Sequence, residues 1–292
     1  MNRRHFLTTS FASSFAVASA PTLFALAADN TYRKTIGVQL YTVREPLKAN
    51  PSATIKAIVA AGYAQGEMFG FPNCEPVIAA AKEHGLALNS SHFEWDSVVN
   101  PKDDSLSEFK AIVDKAKALG LSHLVIPYLT EKNRSSADEY KRVAANANKA
   151  AAFAKTAGIQ LAYHNHSFEF KPFADGTTGF DVFIAEFSPE MKFELDLFWV
   201  KLGGLDPASL LTKLSGRVSQ VHLKDLKAGI EIPSFGNLPA DAFQELGDGI
   251  ISTEAMLTAA HAAGVVHCHV EQDQSPDALA SIKQSIDYLR KL

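Results

Sequence analysis

Three short apolar runs in the C-terminal half of the chain each end in a side chain that can bind a metal ion. These final residues are Asp196, His222 and Glu271. Each run has the length of a buried strand, and the carboxyl ends of the parallel strands of a β/α barrel meet at one mouth. Crowded carboxylates repel one another unless a cation lies between them. Mixed carboxylate and imidazole ligands suit Mn²⁺, Zn²⁺, Co²⁺ or Mg²⁺, so the pattern predicts a divalent-cation site.

A fourth apolar run leads into a second group of polar side chains. The run Ile159 to Tyr163 is followed by His164, Asn165 and His166, with Glu169 three residues later. Alternate residues of an extended segment face the same side, so His164 and His166 could point together into the mouth. The alternative is that these histidines lie behind the site and hold a ligating carboxylate in place.

Each of these residues has a plainer interpretation when it is taken alone. Asp196 after a buried strand could be a helix N-cap, and His222 could be a histidine satisfied within the core. The argument for a metal site rests on coincidence, because four consecutive strands end in ligand-type residues and those ends converge in a barrel. No thiolate accompanies them, which argues against a structural zinc site.

The elements that must position these residues alternate along the chain. From Thr35 onward, strand-like and helix-like segments repeat at a spacing of about thirty residues, which is typical of βα units. Four of the predicted helices end at a glycine just before an apolar run, as in a parallel sheet wound with helices. Eight such units predict an α/β fold, a (β/α)8 TIM barrel, as a single domain over residues 29–292.

The bounds of these predicted elements follow from the apolar runs and the helix-ending signals. The predicted strands are Ile36–Leu40, Tyr63–Met68, Leu86–Ser91, Leu124–Ile126, Ile159–Tyr163, Met191–Leu195, Val218–Leu223 and Val265–Glu271. The predicted helices are Pro51–Ala61, Glu75–His84, Leu106–Leu119, Ser136–Ala157, Gly179–Phe187, one that begins at Asp206 and Pro207, Thr253–Ala263 and Pro276–Leu289.

Composition narrows the class of protein. The chain has 292 residues, is 47% hydrophobic and carries a formal net charge of -4. A net negative charge does not indicate the basic surface that a nucleic-acid-binding protein needs. Its two cysteines, Cys74 and Cys268, are far apart and form no Cys-x-x-Cys pattern, so we expect two reduced thiols in the core rather than a disulfide or a zinc ribbon.

The first 28 residues have the pattern of an export signal. Arg3 and Arg4 form a twin-arginine pair, small and apolar residues continue to Ala28, and Ala25-Leu26-Ala27 is a small-x-small cleavage pattern. We therefore expect export to the periplasm by the twin-arginine route. After removal of the signal we expect no stable membrane span, since no other stretch is long and apolar enough.

Five segments resemble motifs of the sugar phosphate isomerase/epimerase family, the xylose-isomerase-like barrels. The segments are Gly37–Arg44, Tyr163–Phe170, Glu194–Trp199, Val221–Asp225 and Val270–Asp273. The second of them, YHNHSFEF, is similar to the family's YHNHDFEF signature, and together the segments span essentially all of the chain after the export signal. These motifs identify the superfamily but say little about the substrate, because members include ketose epimerases, inosose dehydratase and isomerase types, and enzymes acting on 3-keto-glycosides.

The resemblance implies three of four metal ligands, namely Asp196, His222 and Glu271. The fourth ligand in related epimerases is a glutamate at the end of the fifth strand. The nearest glutamate here is Glu169, which we expect as the fourth ligand, with His164 or His166 as the alternatives. Mn²⁺ is the expected ion, ahead of Zn²⁺, Co²⁺ and Mg²⁺. The absence of a glutamate directly at the end of the fifth strand departs from the epimerase pattern and weighs against a symmetric two-glutamate mechanism.

Further residues are candidates for contact with a carbohydrate. Substrate-binding candidates are His164, Asn165, His166, Gln39, Glu67, His92 and Trp199, and Trp95 could also stack on a sugar ring. Lys224 could steady an oxyanion, or it could be a surface lysine paired with Asp225. The long segment from Lys224 to Gly249 is expected to be a lid or a contact in a homodimer.

These features predict an enzyme that removes a proton next to a carbonyl of a non-phosphorylated keto-sugar or 3-keto-glycoside, through an enediolate. Glu271 or Glu169 would be the general base and Lys224 a catalytic cation. The same site could serve a 3-keto-glycoside lyase or dehydratase. A non-catalytic periplasmic sugar-binding barrel is a second class, and a phosphodiesterase or apurinic endonuclease is disfavoured by the negative charge and the export signal.

Overall fold

The computed structural model describes residues 32–292. The expected export signal at residues 1–28 lies outside these described residues. Within the described part of the chain, no helix combines the length and the hydropathy needed to cross a bilayer.

Eight parallel strands form a closed barrel, which confirms the predicted (β/α)8 TIM barrel. Around the barrel the order is β1-β10-β7-β6-β5-β4-β3-β2. The barrel strands are β1 (Gly37–Gln39), β2 (Gln65–Phe71), β3 (Ala87–Phe93), β4 (His123–Ile126), β5 (Gln160–His164), β6 (Lys192–Asp196), β7 (Val218–Leu223) and β10 (His267–Val270); β8 (Asp225–Leu226) and β9 (Phe243–Gln244) form a separate antiparallel pair.

The helices pack outside the barrel and follow the predicted rhythm. The helices are α1 (Tyr32–Thr35), α2 (Arg44–Ala49), α3 (Pro51–Ala61), α4 (Glu75–His84), α5 (Asp96–Val99), α6 (Ser107–Leu119), α7 (Ala137–Thr156), α8 (Gly179–Glu186), α9 (Leu197–Leu202), α10 (Pro207–Lys213), α11 (Thr253–Ala262) and α12 (Ala278–Leu289). Short 3-10 helices span Leu40–Val43, Glu131–Arg134, Phe168–Phe170 and Ala240–Ala242. Helix α3 shows why the sequence defines these ends: Asn50 accepts a hydrogen bond from the Ala53 N–H, and Gly62 closes the helix at a φ of 106°.

The register of the strands brings particular side chains to the same depth of the barrel. Asp196 on β6 is the partner of His222 on β7, and Glu194 is the partner of Gln220 two residues earlier. Because side chains alternate along a strand, both pairs face the same side and occupy two successive layers of the barrel interior. The upper layer lies at the C-terminal ends of the strands.

Two local features add to the predicted elements. Phe198 to Val200, just after β6, lie in helix α9, because the Asp196 side chain caps that helix. The long segment after Lys224 contains the β8–β9 pair, and Asp225 organises it by accepting hydrogen bonds from the N–H groups of Gly247, Gly249 and Ile251. Both cysteines are buried and free, as predicted.

Candidate metal and substrate site

Four buried side chains at the C-terminal ends of adjacent strands converge on one point. They are His164 on β5, Asp196 on β6, His222 on β7 and Glu271 just after β10, and one ligand atom from each lies within 4.8 Å of the others. We call these four residues the upper group. Their strands are consecutive neighbours around the barrel, so the group occupies one half of the mouth.

Three atoms of the upper group are buried without a hydrogen bond. Among the described residues, His164 Nε2, Asp196 Oδ2 and His222 Nδ1 make no hydrogen bond of acceptable geometry. Their contacts are charge contacts only, of Asp196 Oδ2 with Lys224 at 3.0 Å and of His222 Nδ1 with Glu271 Oε2 at 2.9 Å. Buried polar atoms are normally paired, because leaving one unsatisfied costs roughly 1–3 kcal/mol. Two imidazole nitrogens and a carboxylate oxygen that face each other are the donor set that a divalent ion such as Mn²⁺ or Zn²⁺ accepts, so these residues fit the metal that the sequence implies.

Each histidine of the upper group has one ring nitrogen bound to a neighbouring oxygen and turns its other nitrogen toward the upper group. His164 Nδ1 lies 3.2 Å from the Pro127 carbonyl oxygen, which can only accept, so its proton is on Nδ1 and Nε2 is left for an ion. His222 Nε2 lies 2.7 Å from Glu67 Oε1, which places a proton on Nε2 and directs Nδ1 toward Glu271 and Asp196 of the upper group. Such partners on the far side of the ring are a regular feature of metal-binding histidines.

Asp196 caps a helix with one carboxylate oxygen and turns the other toward the upper group. Its Oδ1 accepts a hydrogen bond of 3.1 Å from the Trp199 N–H and so caps α9, while Oδ2 faces the upper group. Asn165 clamps the backbone of this residue, since its Oδ1 accepts from the Asp196 N–H and its Nδ2 donates to the Asp196 carbonyl. The expected contact of Asn165 with substrate is therefore wrong, because both ends of its amide are occupied.

Lys224 is buried beside the upper group. Its ammonium lies 3.0 Å from Asp196 Oδ2, 2.9 Å from Glu271 Oε2 and 2.8 Å from Asp273 Oδ2, and only 2% of the residue is exposed. The interpretation as a surface lysine paired with Asp225 is therefore wrong. When all four groups are ionised, three carboxylates and one ammonium leave a formal charge of two negative units, which a divalent cation would balance.

The neighbouring charges keep the Asp196 and Glu271 carboxyls ionised in spite of their burial. Burial alone would raise the pKa of Asp196 and of Glu271, but the charge of Lys224 and the neighbouring histidines hold both pKa values well below the usual range. Burial would likewise lower the pKa of His222, yet the Glu194 and Glu271 carboxylates raise it well above its ordinary value. A proton and a divalent ion would consequently compete for His222 Nδ1.

A second set of side chains lies one layer deeper and is already satisfied. This lower group comprises Glu67, His92 and Glu194 together with His222. Gln220 Nε2 points into it, 2.8 Å from Glu194 Oε1 and 3.2 Å from Glu67 Oε2, and Gln39 Nε2 donates to Glu67 Oε1 at 2.7 Å. Because amide and ring N–H donors occupy these carboxylates, the lower group is a hydrogen-bonded support and the upper group is the better cation site.

Glu169 lies outside the upper group, whose member from β5 is His164, so the geometry does not match the expectation of Glu169 as the fourth ligand. Its carboxyl is fully buried and accepts hydrogen bonds from the Tyr163 hydroxyl at 2.6 Å and from the His166 N–H at 2.8 Å. The 3-10 turn at Phe168–Phe170 carries the side chain back behind the strand. Burial raises the pKa of Glu169 to about 8, and its hydrogen bonds to Tyr163 and His166 hold it on this turn.

The raised pKa of Glu169 predicts a pH dependence of stability that Glu169→Gln removes. A carboxyl with a folded pKa of about 8 and an unfolded value of 4.5 contributes stability that is complete below the unfolded pKa and is lost as pH rises to about 8. In metal-free protein the free energy of unfolding of the wild type should therefore fall relative to Glu169→Gln, by up to about 1.4 kcal/mol per pH unit across that window. Urea unfolding at pH 5 to 9 measures this, with the exposed Glu186→Gln as the control; parallel pH profiles for the wild type and Glu169→Gln would contradict it.

A cavity of about 660 Å³ opens above the upper group. That volume lies within the range of small-molecule sites, roughly 300–1,000 Å³. Of the predicted residues, the cavity wall contains His92, His164, His166, Trp199, Lys224, Glu271 and Trp95. Additional aromatic side chains from Tyr41, Phe69, Tyr128 and Phe243 line it, so an acidic floor is surrounded by aromatic walls.

Two predicted substrate contacts are instead part of the support below. Gln39 and Glu67 are fully buried and absent from the lining of this cavity, and they hydrogen-bond each other beneath His222. Sequence reasoning also missed Glu194, Gln220 and Asp273. The signal for Glu194 and Gln220 was present, because each lies two residues before a predicted ligand and therefore faces the same side of its strand.

Comparison with known proteins places this geometry among sugar-processing barrels. A family model for the xylose isomerase-like TIM barrel matches residues 55–292. An inosose dehydratase from Clostridium botulinum (strain Alaska E43 / Type E3) is 24% identical over 230 residues, which are 70% of this chain and 76% of that protein.

Solved structures show the same fold over nearly the whole barrel. A sugar phosphate isomerase/epimerase from Parabacteroides distasonis is 25% identical with a TM-score of 0.69, over 89% of this chain and 98% of that chain. A 3-keto-D-glucoside 4-epimerase from E. coli has a TM-score of 0.64 at 16% identity, over 88% of this chain and 99% of that chain. At that identity, the second similarity shows the fold alone.

Proposed function

This chain belongs to the xylose isomerase-like TIM barrel family and is an enzyme that acts on sugars, and we propose that it is a divalent-metal-dependent isomerase or epimerase of a keto-sugar. The substrate is a non-phosphorylated keto-sugar or a 3-keto-glycoside, from which a proton next to the carbonyl is removed to give an enediolate. The observation that carries this proposal is the convergence of His164, Asp196, His222 and Glu271 beneath the cavity, with three of their ligand atoms buried and without a hydrogen bond.

The upper group would hold the ion, with His164, Asp196, His222 and Glu271 as ligands and Mn²⁺ as the expected metal. When bound, such an ion polarises a carbonyl and stabilises negative charge on its oxygen. Glu271 reaches the cavity and stays ionised, so it is suited to take the proton. Lys224 adds a positive charge at the same floor, where it would steady the enediolate oxygen.

The walls of the cavity support a carbohydrate substrate larger than one sugar ring. Trp95 and Trp199 expose aromatic faces to the cavity, and His166 lies between Trp199 and Phe168 with ring centroids at 5.3 and 5.0 Å. Aromatic faces suit the C–H surface of a sugar. A 3-keto-glycoside would fill a cavity of about 660 Å³ better than a free monosaccharide.

A lyase or dehydratase is a second candidate for the same site. It is favoured by the similarity to inosose dehydratase. It is also favoured by His164 at the position of the fourth ligand, because a symmetric epimerase mechanism uses two glutamates there and at Glu271. Proton abstraction by Glu271 is common to both candidates, and they differ in whether a β substituent leaves.

We also propose that the protein works in the periplasm, after export by the twin-arginine route, as one domain over residues 29–292. The support is the Arg3-Arg4 pair and the cleavage pattern at Ala25 to Ala27. A periplasmic location favours substrates that are sugars without a phosphate group.

The proposal predicts that the Mn²⁺-loaded protein exchanges the α proton of a keto-sugar with solvent. Methyl 3-keto-β-glucoside, D-fructose and D-tagatose incubated in D2O should include at least one compound that gains deuterium, as followed by NMR. Glu271→Gln should lower the exchange rate by about 100-fold, because general-base catalysis typically contributes that much or more. The exposed Glu231→Gln should match the wild type.

Two outcomes would contradict the proposal. Tight sugar binding without exchange, unchanged by Mn²⁺, would favour a non-catalytic sugar-binding barrel. Equal exchange rates in Glu271→Gln and the wild type would remove Glu271 as the base.

A further inference from the structure

His92 is an imidazole on the cavity wall that belongs to the half of the barrel opposite the upper group. It lies near the C-terminal end of β3, whereas the upper group comes from β5, β6, β7 and the end of β10. Its ring centroid is 5.3 Å from that of His164 and 5.6 Å from that of His222. His92 therefore adjoins the metal-binding residues and faces any substrate held above them.

The ring of His92 is held by a buried carboxylate. Its Nε2 lies 2.9 Å from Glu194 Oε2, and Glu194 Oε1 accepts a hydrogen bond of 2.8 Å from Gln220 Nε2. A carboxylate can only accept, so the Nε2 of His92 carries a proton directed into the lower group. Among the described residues, no hydrogen bond reaches the Nδ1 of His92, which is therefore left for a ligand in the cavity.

The reaction requires a second proton transfer, which Glu271, Glu169 and Lys224 are not placed to supply. Glu271 takes the proton from carbon, and Glu169 is buried behind its strand and absent from the cavity wall. The Lys224 ammonium is engaged by Asp196, Glu271 and Asp273. A carboxylate-held imidazole with one free nitrogen is the usual arrangement of a proton-transfer group.

We propose that His92, oriented by Glu194, is the second proton-transfer residue of this site. This inference rests on the proposed function. The α C–H bond breaks as Glu271 takes the proton, and its electron pair forms the enediolate double bond. In this step His92 starts doubly protonated, with Nε2–H directed to Glu194 and Nδ1–H directed to the cavity. As the enediolate collapses, the Nδ1 proton goes to the receiving carbon, or to the departing oxygen if a β C–O bond breaks and takes the electron pair, and His92 is left neutral. Water then removes the proton from Glu271 and restores the one on His92. Glu194 is a positioning residue.

The test separates the first proton transfer from the second. His92→Gln retains an amide donor that can reach Glu194 and lacks a group at the position of Nδ1. With Mn²⁺ and methyl 3-keto-β-glucoside or D-fructose in D2O, this variant should keep deuterium exchange within about 3-fold of the wild type, while net product formation falls by about 100-fold or more. Mn²⁺ affinity, measured by calorimetry, should be unchanged, because His92 is not a ligand.

Glu194→Gln is an independent second variant with a readout that a purely structural role would not produce. It should show the same loss of product with exchange retained, and the double variant should be no worse than His92→Gln alone, because both act through one proton. The exposed His261→Gln, which alters an imidazole outside the cavity, should leave both exchange and product formation unchanged.

The outcomes that overturn this inference differ from those that overturn the proposed function. Loss of exchange and product in parallel, weaker Mn²⁺ binding, or product formation as fast as in the wild type would each refute a proton-transfer role for His92. Absence of exchange in the wild type itself would refute the proposed function, and the role of His92 would fall with it.

Discussion

Replacing Asp196 by asparagine is expected to abolish divalent-metal binding and to lower turnover by at least about 10³-fold, since the Lewis-acid contribution of a metal is several kcal/mol. The fold should survive, because asparagine is as good an N-cap as aspartate and can still accept from the Trp199 N–H. The variant would weaken ion binding because the negative charge of Asp196 is lost and an amide group replaces the carboxylate oxygen Oδ2. Calorimetric titration with Mn²⁺ and the deuterium-exchange assay measure the two effects.

The chain offers a matched control for this variant in the neighbouring helix. Asp206 caps α10 by accepting from the Ser209 N–H at 2.8 Å, and it is exposed. Asp206→Asn should therefore keep both metal binding and activity. If Asp196→Asn bound Mn²⁺ with wild-type affinity, the assignment of the metal to the upper group would be wrong.

Replacing Lys224 by methionine is expected to destabilise the metal-free protein by roughly 3 kcal/mol while strengthening Mn²⁺ binding. Breaking a buried charge network leaves the remaining charges uncompensated, which typically costs about 3–5 kcal/mol. Here the uncompensated groups are the carboxylates that lie within 3.0 Å of the ammonium. A divalent ion would replace the missing positive charge and would no longer be repelled by Lys224, so Mn²⁺ should restore much of the stability.

Urea unfolding at pH 8 with and without saturating Mn²⁺ measures the effect of Lys224→Met on stability, and calorimetry measures its affinity for the ion. Lys227→Met is the control, because Lys227 is 46% exposed and pairs with the exposed Asp241, an arrangement that contributes about 1 kcal/mol or less. A loss of stability that is the same with and without Mn²⁺, together with unchanged affinity, would indicate lost packing rather than lost charge compensation.

The sequence was sufficient to predict the architecture. Predicted helices such as Pro51–Ala61 and Glu75–His84 match the structure at both ends, because proline, asparagine and glycine act locally on the backbone. The eight strands were found from apolar runs, with bounds that differ by a few residues. The barrel then follows, since alternating strand and helix units leave few other ways to bury both faces of a parallel sheet.

The sequence also predicted three residues that the structure brings together, and it could not choose the fourth. Asp196, His222 and Glu271 lie at or near the C-terminal ends of neighbouring parallel strands, whose register brings them to the same end of the barrel. Their positions at the ends of apolar runs can be read from the sequence. The family resemblance predicts Glu169 rather than His164 as the fourth ligand, because related epimerases have a glutamate at the end of the fifth strand. The choice depended on a turn at Phe168–Phe170 that carries Glu169 behind the strand, and no local pattern revealed that turn.

Composition, periodicity and strand-end residues thus determined the barrel, its mouth and the chemistry of the donors, because these depend on short-range backbone preferences and on side-chain alternation. Only the tertiary structure decided which carboxylates are free and which are occupied. Glu67 and Gln39 were expected at the substrate and lie beneath His222, and Lys224 was placed between three carboxylates rather than at the surface. Those assignments depend on distances between strands that are far apart in sequence, and on the desolvation that closing the barrel imposes on every charge inside it.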